Sequence, residues 1–407
     1  MIVWRDSAKM LLRTGFAIFI QTFRIKEREI IVTEAYQVCK RCVMDNSSDG
    51  TIIFDKNGFC NYCTDALNAK EYTYFPNEEG KKKLDFLINR LKTENKGNKY
   101  DCIMGISGGL DSSYLAYLGF KWGLRVLAVH IDDGFDTEIS KRNIDKLVKA
   151  TNMDYVVEKP DAKQFNDLTK AFFLAGVPNL AAPQDNVLFA CIYRLVRKYK
   201  LRTFLSGGNY ALECILQKGN SHSAGDVTNI KAIHKLYGCE PIDKLPLLSD
   251  YGRLIDRFLF NIETPRPLNF IEYNRKRALD ELFDFCGFEY YGAKHLENTL
   301  TKFIQVYWFY HKFGVDKRRS HLSSMIIAGQ LTREEALTEL QLPIYDENEM
   351  KKDVKIICNA LNISDEEFEK VMKSPSRQHT DYKTDKYHVV QSLKYKLGLS
   401  SLLSKIR

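Results

Sequence analysis

One short segment limits the folds available to this chain more than any other, because it joins a strand pattern to a helix pattern through adjacent glycines. Residues 100–106 have the apolar character of a buried strand, and residues 107–113 read S-G-G-L-D-S-S. The glycines let the backbone approach a ligand closely, and a helix start presents unpaired amides and a positive dipole end. We therefore predict a phosphate site at this turn. The alternative is an ordinary turn capped by Asp or Ser, which would not need the whole run.

Strand and helix patterns alternate on both sides of this turn. After a helical pattern at 84–91, strands are expected at 100–106, 125–131, 154–158 and 202–205, and helices at 112–122, 139–150 and 187–199. Helices between successive strands favour a parallel sheet that is covered on both faces. In a doubly wound sheet of order 3-2-1-4-5, ligands bind at the carboxyl ends of strands 1 and 4, where the order reverses. Strand signals fade after about residue 225, and helical patterns dominate from there to residue 407.

The ends of the second and fourth predicted strands carry further polar and glycine residues. His130, Asp132 and Asp133 end the second strand, and a second glycine turn at 206–209 follows the fourth. Both ends would face a ligand that is held by the first loop. A buried histidine satisfied by the backbone is the alternative for His130, and a structural turn is the alternative for 206–209.

Four of the ten cysteines form two C-x-x-C pairs, at Cys39 and Cys42 and at Cys60 and Cys63. The run between the pairs contains a strand pattern and an Asn-Gly turn, which would return the second pair to the first. This spacing predicts a zinc-ribbon-like lobe with a structural Zn²⁺, because four thiolates leave no open position for water. Redox thiols and an iron–sulfur cluster are the alternatives. The other cysteines are isolated, mostly in apolar contexts, and a reducing cytoplasm therefore fits better than a disulfide framework.

The composition places the chain among ordinary globular proteins. It has 407 residues, of which 44% are hydrophobic and 28% are charged, and its formal net charge is +8. This excludes disordered and collagen-like classes, and no apolar stretch reaches the length of about 20 residues that spans a bilayer. Residues 1–35 are interpreted as an accessory N-terminal extension. A signal peptide and an interfacial amphipathic anchor are the alternatives for this segment.

The first loop resembles a known nucleotide-binding loop. No G-x-x-x-x-G-K-[ST] run occurs in the chain, so cleavage between the β and γ phosphates is disfavoured. S-G-G-L-D-S instead resembles the loop of the PP-loop ATP pyrophosphatases, which split ATP between the α and β phosphates. With the two strand ends, the residues expected to bind ATP are Ser107, Gly108, Gly109, Asp111, Ser112, Ser113, His130, Asp132, Ser206, Gly207, Gly208 and Asn209.

A closer resemblance follows from the order of several motifs. The cysteine segment, S-G-G-L-D-S-S, V-H-I-D-D-G-F, L-S-G-G-N-Y, G-A-K-H-L-E and a long block at 312–337 occur in one series. Together they resemble the N-acetyl sugar amidotransferases of bacterial O-antigen and flagellar-sugar pathways, from about Tyr36 to about Met372. The departures are Phe135 in place of tryptophan, and Ala293 and Leu296 in the G-G-K-H-Y-E motif.

The resemblance implies four regions and an ATP-dependent reaction. The regions are an extension (1–35), a zinc-binding lobe (36–75), a PP-loop ATP pyrophosphatase domain of the HUP-like α/β class (76–225) and a helical substrate or partner region (226–407). An acetamido carbonyl of a nucleotide-activated sugar would be adenylated and its oxygen then displaced by ammonia. Asp111, Lys294, Lys317 and Arg318 are the candidate catalytic residues, with Mg²⁺ on the phosphates. Candidate substrate ligands are His295, Glu297, His321, Ser323 and Ser324. A solvated basic helix end is the alternative for Lys317 and Arg318.

Ammonia would have to come from another protein. No Gly-x-Cys-x-Gly run surrounds any cysteine of this chain. The resemblance implies a glutaminase subunit like that of imidazole glycerol phosphate synthase, and a cyclase-like companion that conducts ammonia. The competing functions are a tRNA-thiolating enzyme and a zinc-ribbon nucleic-acid-binding module. We expect no nucleic-acid partner, because no aromatic and basic stripe suited to RNA occurs.

Overall fold

The computed structural model describes residues 36–292 and 296–385. The strands are β1 (Cys102–Gly105), β2 (Val126–Ile131), β3 (Asp154–Glu158) and β4 (Phe204–Leu205). The helices up to residue 225 are α1 (Asn61–Thr73), α2 (Glu78–Glu94), α3 (Leu110–Lys121), α4 (Glu138–Thr151), α5 (Ala162–Ala175), α6 (Ala182–Lys198) and α7 (Tyr210–Glu213). Those that follow are α8 (Val227–Tyr237), α9 (Asp250–Leu259), α10 (Arg275–Cys286), α11 (Thr299–Phe303), α12 (Phe309–Phe313), α13 (Arg318–Ala328), α14 (Arg333–Leu340), α15 (Glu347–Leu361) and α16 (Asp365–Lys373).

The four strands form one parallel sheet in the order β3-β2-β1-β4. This confirms the predicted α/β class and the predicted order of these strands. The fifth position is taken by residues 263–265, which pair with the chain around β4 through an isolated parallel bridge between Thr203 and Glu263. The amide of Ser206 donates to the carbonyl of Pro265 at 2.9 Å, so this segment ends beside the second glycine turn.

The burial of the strands explains why the sheet lies in the middle of the molecule. Most residues of β1 and β2 are buried on both faces, whereas β3 at the edge is only partly covered. Helix α5 was not predicted, although two boundary signals were present. Asp161 caps its first turn by accepting from the amide of Gln164 at 3.1 Å, and Gly176 ends it in the left-handed region at φ +66°.

The region after residue 225 is helical in the described part of the chain, as predicted. A π-helical turn, Ile304–Trp308, joins α11 to α12, and Trp308 is fully buried against Phe173 of α5. Apolar side chains of α5, α11, α15 and α16 share one core. Residues 1–35, Lys294, His295 and residues 386–407 lie outside the described residues. None of the described helices has the length and apolar character needed to cross a bilayer.

The cysteine lobe packs directly on α13 and α14. The Arg333 guanidinium donates to the carbonyls of Cys39 and Cys42 at 3.0–3.1 Å. Arg319 pairs with the buried carboxylate of Asp45 at 2.9 Å and also donates to the carbonyl of Val43. The lobe and helices α13 and α14 therefore form one packed unit.

We predict that Arg333→Met loosens this junction. The substitution removes the hydrogen bonds to two cysteine carbonyls while keeping an unbranched side chain, and hydrogen bonds to charged groups contribute about 1.5–3 kcal/mol each. Urea denaturation should show a free energy of unfolding lower by roughly 1–3 kcal/mol. Glu334→Gln, which alters an exposed side chain on the same helix, is the matched control and should leave stability unchanged. Equal stability of the two variants would contradict the proposed stabilising role of Arg333 at this junction.

Candidate active site

A cleft of about 370 Å³ opens at the carboxyl ends of β1, β2 and β4. It is the place that the predicted strand order assigned to a ligand. Both glycine loops and the end of β2 reach it, and so does the segment before α11. The predicted site residues that line it are Ser107, Gly109, Asp111, Ser112, His130, Ser206, Gly207, Gly208 and Glu297.

The first loop has a backbone that only glycine can adopt. Gly108 has φ +73°, and a Cβ placed there would lie 2.3 Å from the carbonyl oxygen of Ser140. This close approach seats the loop against the first turn of α4. Helix α3 begins after Gly109, which offers no side-chain cap; the amide of Gly109 donates to Ser107 Oγ at 3.2 Å, and the amide of Leu110 donates to the hydroxyl of Tyr291 at 2.9 Å. The arrangement suits a phosphate or pyrophosphate group.

The second glycine turn lies directly against the first loop. A Cβ at Gly207 would come within 3.1 Å of the carbonyl of Asp111, so a larger residue would push the two loops apart. The hydroxyl of Tyr273 donates to the Asp111 carboxylate and orients it. The two loops therefore form one continuous wall of the cleft.

Four of the predicted ATP ligands do not line the cleft: Gly108, which seats the loop as described above, and three residues with other structural positions. Ser113 is fully buried and Asn209 nearly so, and neither lines the cleft. Asn209 caps α7 by accepting from the amide of Leu212 at 2.9 Å. The carboxylate of Asp132 pairs with Lys159 at 2.8 Å outside the cleft lining. These side chains were grouped with the site by sequence proximity, whereas the helix and strand directions turn them away.

His130 lines the cleft with both ring nitrogens already engaged. Its Nδ1 lies 2.9 Å from the carbonyl of Ile106, and its Nε2 lies 2.7 Å from the carboxylate of Asp136. Burial lowers the pKa of His130, but the hydrogen bond and charge of Asp136 raise it, and the net pKa lies above its ordinary value. The ring thus joins the ends of β1 and β2. This position agrees with the alternative interpretation of His130 as a buried histidine with a structural role.

Glu297 is the predicted residue whose placement says most about chemistry. Its Oε1 lies 3.4 Å from Ser107 Oγ, and a Cβ added to Gly109 would come within 2.5 Å of that oxygen. Its Oε2 is buried and has no hydrogen-bond partner among the described residues. A carboxylate is therefore held against the first glycine loop (residues 107–113), with one oxygen left for a ligand or a cation.

Several residues of the cleft were missed by sequence reasoning. Gln184 donates to Asp133 at 2.5 Å, and Asn298 donates to the same carboxylate at 3.0 Å, which ties α6 to the end of β2. Arg275 brings a guanidinium to the cleft, stacked over Tyr290 at 5.6 Å. In the sequence, only the D-D-G-F run after β2, which contains Asp133, pointed to this part of the cleft. Gln184, Asn298 and Arg275 come from segments far apart in sequence.

Asp185 also lines the cleft. Its P-Q-D-N run, just before the helix predicted at 187–199, allows a helix cap or a ligand-facing carboxylate, and the cap was the preferred interpretation. Helix α6 begins earlier, at Ala182, and has no side-chain cap. Asp185 therefore lies within the first turns of the helix and faces the cavity. The capping interpretation was wrong because the helix starts five residues before the predicted boundary.

The candidate residues on α13 and its N-terminal cap lie outside the cleft lining. Arg318 pairs with Asp316 at 2.8 Å and donates to carbonyls at the end of α14, including that of Leu342 at 2.8 Å. Lys317 lies over the ring of Phe309 at 4.8 Å, and burial lowers its pKa to about 8. In the structure both cations are used in packing rather than at the phosphate loop.

The serines of the same helix are also structural. Ser323 accepts from the amide of Val43 at 3.2 Å, and Ser324 accepts from the amide of Ile215 at 3.0 Å. Both side chains are fully buried, and His321 also lies outside the cleft lining. The residues of this block connect the cysteine lobe and the chain after α7. Lys294 and His295 fall outside the described residues.

The four paired cysteines meet in a compact cluster. Their sulfurs all lie within 4.8 Å of one another, and the side chains are fully buried. Cys39 and Cys63 are separated by 3.7 Å between sulfurs, and Cys42 and Cys60 by 3.6 Å. Tetrahedral Zn²⁺ with Zn–S of about 2.3 Å places its sulfurs about 3.8 Å apart. The donor set and spacing thus fit one closed, tetrahedral metal site.

Comparison with known proteins gives one family match in the C-terminal half. Residues 297–394 match the family described as "LPS biosynthesis protein WbpG-like, C-terminal domain". The uncharacterised protein MJ1599 of Methanocaldococcus jannaschii is 23% identical over 320 residues, which cover 76% of this chain and 96% of that protein. The match to the family begins at Glu297, the residue that reaches the phosphate loop.

Solved structures with weak similarity include three synthetases. NMN synthetase from Francisella tularensis has a TM-score of 0.27 at 16% identity, covering 51% of this chain and 92% of that one. NAD⁺ synthetase from Burkholderia pseudomallei has a TM-score of 0.28 at 15% identity, and the match covers 57% of this chain and 95% of that one. The NH₃-dependent NAD synthetase from Campylobacter jejuni has a TM-score of 0.26 at 14% identity. The match covers 32% of this chain, which spans 58% of the length of that protein.

The α/β class follows from the parallel sheet itself, and the C-terminal family follows from the match to residues 297–394. The predicted resemblance to a WbpG-like protein is thereby confirmed for residues 297–394. In this chain the matching segment follows an α/β domain with a parallel sheet and the S-G-G-L-D-S loop.

Proposed function

We propose that this protein is the synthetase subunit of an ATP-dependent amidotransferase. It adenylates the acetamido carbonyl of a nucleotide-activated N-acetyl sugar and replaces the carbonyl oxygen with ammonia, giving an acetamidino sugar, AMP and pyrophosphate. The product serves bacterial surface polysaccharide or flagellar glycan synthesis. The observation that carries the proposal is the position of Glu297, where the WbpG-like domain places its first carboxylate against the phosphate loop.

The end of the cleft beside the two glycine loops supports ATP as the activating substrate. The positive dipole end of α3 and the hydroxyls of Ser107 and Ser112 lie at this end of the cleft, where phosphate oxygens would bind. Asp111 and Glu297 add carboxylates at the same end of the cleft. These carboxylates would repel the phosphates of bound ATP unless a cation lay between them. These two side chains would hold Mg²⁺. When bound, Mg²⁺ neutralises the phosphates.

Arg275 is the candidate for charge stabilisation at the leaving group. It is the one lysine or arginine side chain that lines the cleft in the described ranges, and it has no carboxylate partner there. A guanidinium suits two phosphate oxygens at once and keeps its charge at all relevant pH values. We therefore assign to Arg275 the role that sequence reasoning gave to Lys317 and Arg318.

The chemistry explains why ATP is needed. An amide carbonyl is a poor electrophile, and transfer of AMP to its oxygen supplies a leaving group for attack by nitrogen. The cleft is lined at its other end by apolar side chains including Val187 and Ile192, which limit the access of water to such an intermediate. No cysteine lines the cleft in the described part of the chain, so sulfur transfer to RNA has no thiol at this site.

Ammonia supply and location complete the proposal. A separate glutaminase and a cyclase-like companion would deliver ammonia, because no glutaminase motif surrounds the cysteines of this chain. Soluble nucleotide sugars, ATP and reduced thiols are all found in the cytoplasm, where we place the protein. The paired cysteines would hold a structural Zn²⁺.

The first test concerns the products from ATP. With a UDP-N-acetyl sugar that supports turnover, we expect AMP and pyrophosphate, and both Asp111→Ala and Glu297→Gln should reduce the rate by roughly 100-fold or more. Glu297→Gln should also raise the Mg²⁺ concentration needed for half-maximal activity. Glu138→Gln, at an exposed position near the loop, is the control. Release of ADP and free phosphate by the wild-type protein would refute the assignment.

The second test concerns the metal. We expect about one Zn²⁺ per chain, and Cys60→Ser should lose it together with stability, because metal binding and folding of such a lobe are coupled. Elemental analysis and thermal denaturation measure both effects. Cys239→Ser, at an exposed cysteine outside the cluster, should change neither. Iron with acid-labile sulfide, or a preparation free of zinc, would contradict the zinc assignment.

The third test concerns nitrogen. The purified protein should use ammonium at alkaline pH, where free ammonia is abundant, and should not use glutamine. Mass spectrometry with ¹⁵N-ammonium should show one ¹⁵N in place of the acetamido oxygen. Addition of a cognate glutaminase and its companion should confer use of glutamine. Glutamine hydrolysis by this chain alone, or sulfur incorporation into tRNA, would overturn the proposal.

A further inference from the structure

Asp185 differs from the other carboxylates of the cleft. Each of the others has a described partner: Asp111 with Tyr273, Asp133 with Gln184, Asp136 with His130, Glu213 with the amide of Asn209, and Glu297 with Ser107. Asp185 lines the same cavity, but its carboxylate forms no hydrogen bond and no ion pair with the described residues. An anion without a protein partner at a ligand site is available for a positive group of the ligand.

The backbone that carries Asp185 is held firmly on both sides. The preceding Gln184 is fixed by Asp133 and by Thr301, whose hydroxyl donates to it at 3.2 Å. The following Asn186 is buried and donates to the carbonyls of Ala224 and Leu248 at 2.6 and 2.9 Å. The side chain of Asp185 is thus free while its position is set, which is the condition for a preorganised ligand-binding group.

The proposed reaction creates a positive charge that such a carboxylate fits. When ammonia attacks the adenylated carbon, the new nitrogen carries a positive charge until it loses a proton. The product amidine is itself protonated at neutral pH, and its planar N–C–N group matches a carboxylate with two parallel hydrogen bonds, as guanidinium does. ATP and its phosphates are anionic, so Asp185 is suited to the nitrogen step rather than to binding ATP.

We propose that Asp185 is the catalytic base and charge partner of the nitrogen step, an inference that rests on the function proposed above. Ammonia forms a C–N bond to the adenylated carbon, and one proton passes from that nitrogen to the Asp185 carboxylate. The C–O bond to AMP then breaks, its electron pair leaves with the AMP phosphate oxygen, and the proton returns to the amidine. The resulting amidinium pairs with the Asp185 carboxylate until release.

The test separates activation from nitrogen transfer. Pyrophosphate release and ¹⁵N-amidine formation are measured together, with ¹⁵N-ammonium and the UDP-N-acetyl sugar that supports turnover of the wild-type protein. For Asp185→Asn we expect pyrophosphate release within about threefold of wild type, and the amidine formed per pyrophosphate to fall at least tenfold as the adenylate is hydrolysed. Asp185→Glu keeps the carboxylate and should restore part of the coupling. Thermal stability should not change, because no described hydrogen bond is lost.

Glu158→Gln is the matched control, because this carboxylate pairs with Arg194 of the same helix α6 outside the cleft lining. It should leave both readings unchanged. The inference is overturned if Asp185→Asn keeps full coupling, or if pyrophosphate release and amidine formation fall together, which would place Asp185 in the adenylation step. Failure of the proposed function looks different, since the wild-type protein would then release no sugar-dependent pyrophosphate.

Discussion

The close contact between the two glycine turns is the constraint on which the site depends. Gly207 lies against the start of α3, where a Cβ would fit only tightly, and Gly108 lies against the first turn of α4, where a Cβ has no room. Parallel strands alone would bring these turns to the same edge of the sheet, and the missing side chains let them meet as one wall. The start of α3 and the carboxylate of Glu297 then face the same small volume.

The contact between regions far apart in sequence shows how the chain uses its C-terminal half. Glu297 reaches the phosphate loop, and Asn298 binds Asp133 at the end of β2. Further along, Arg319 and Arg333 hold the cysteine lobe. The segment that resembles the WbpG-like C-terminal domain thus contacts the α/β domain at the cleft and the cysteine lobe through α13 and α14. A metal in the cluster would stabilise the helices that carry these contacts.

The division of polar groups within the cleft is consistent with two chemical steps. Donors and carboxylates around Gly109 suit phosphates and a divalent cation, whereas Asp185 lies apart from described partners on the wall formed by α6. Activation of an amide requires the first set, and attack by ammonia produces a positive charge that suits the second. Under the proposed function, one cleft would hold both reactions in sequence without moving the acceptor.

By itself the sequence determined the α/β class, the position of the phosphate loop and the pairing of the four cysteines, because these depend on local patterns: a strand turning into a helix through glycines, and thiols at short spacing. It did not determine which side of each helix faces the ligand. Ser323, Ser324 and Arg318 belong to the block at 312–337, yet the packing of α13 directs them to the cysteine lobe, to the chain after α7 and to the carbonyls that follow α14, respectively. Asp185 and Arg275 were brought to the cleft by tertiary structure alone, because the start of α6 and the entry to α10 meet there only after the sheet and the C-terminal helices have packed.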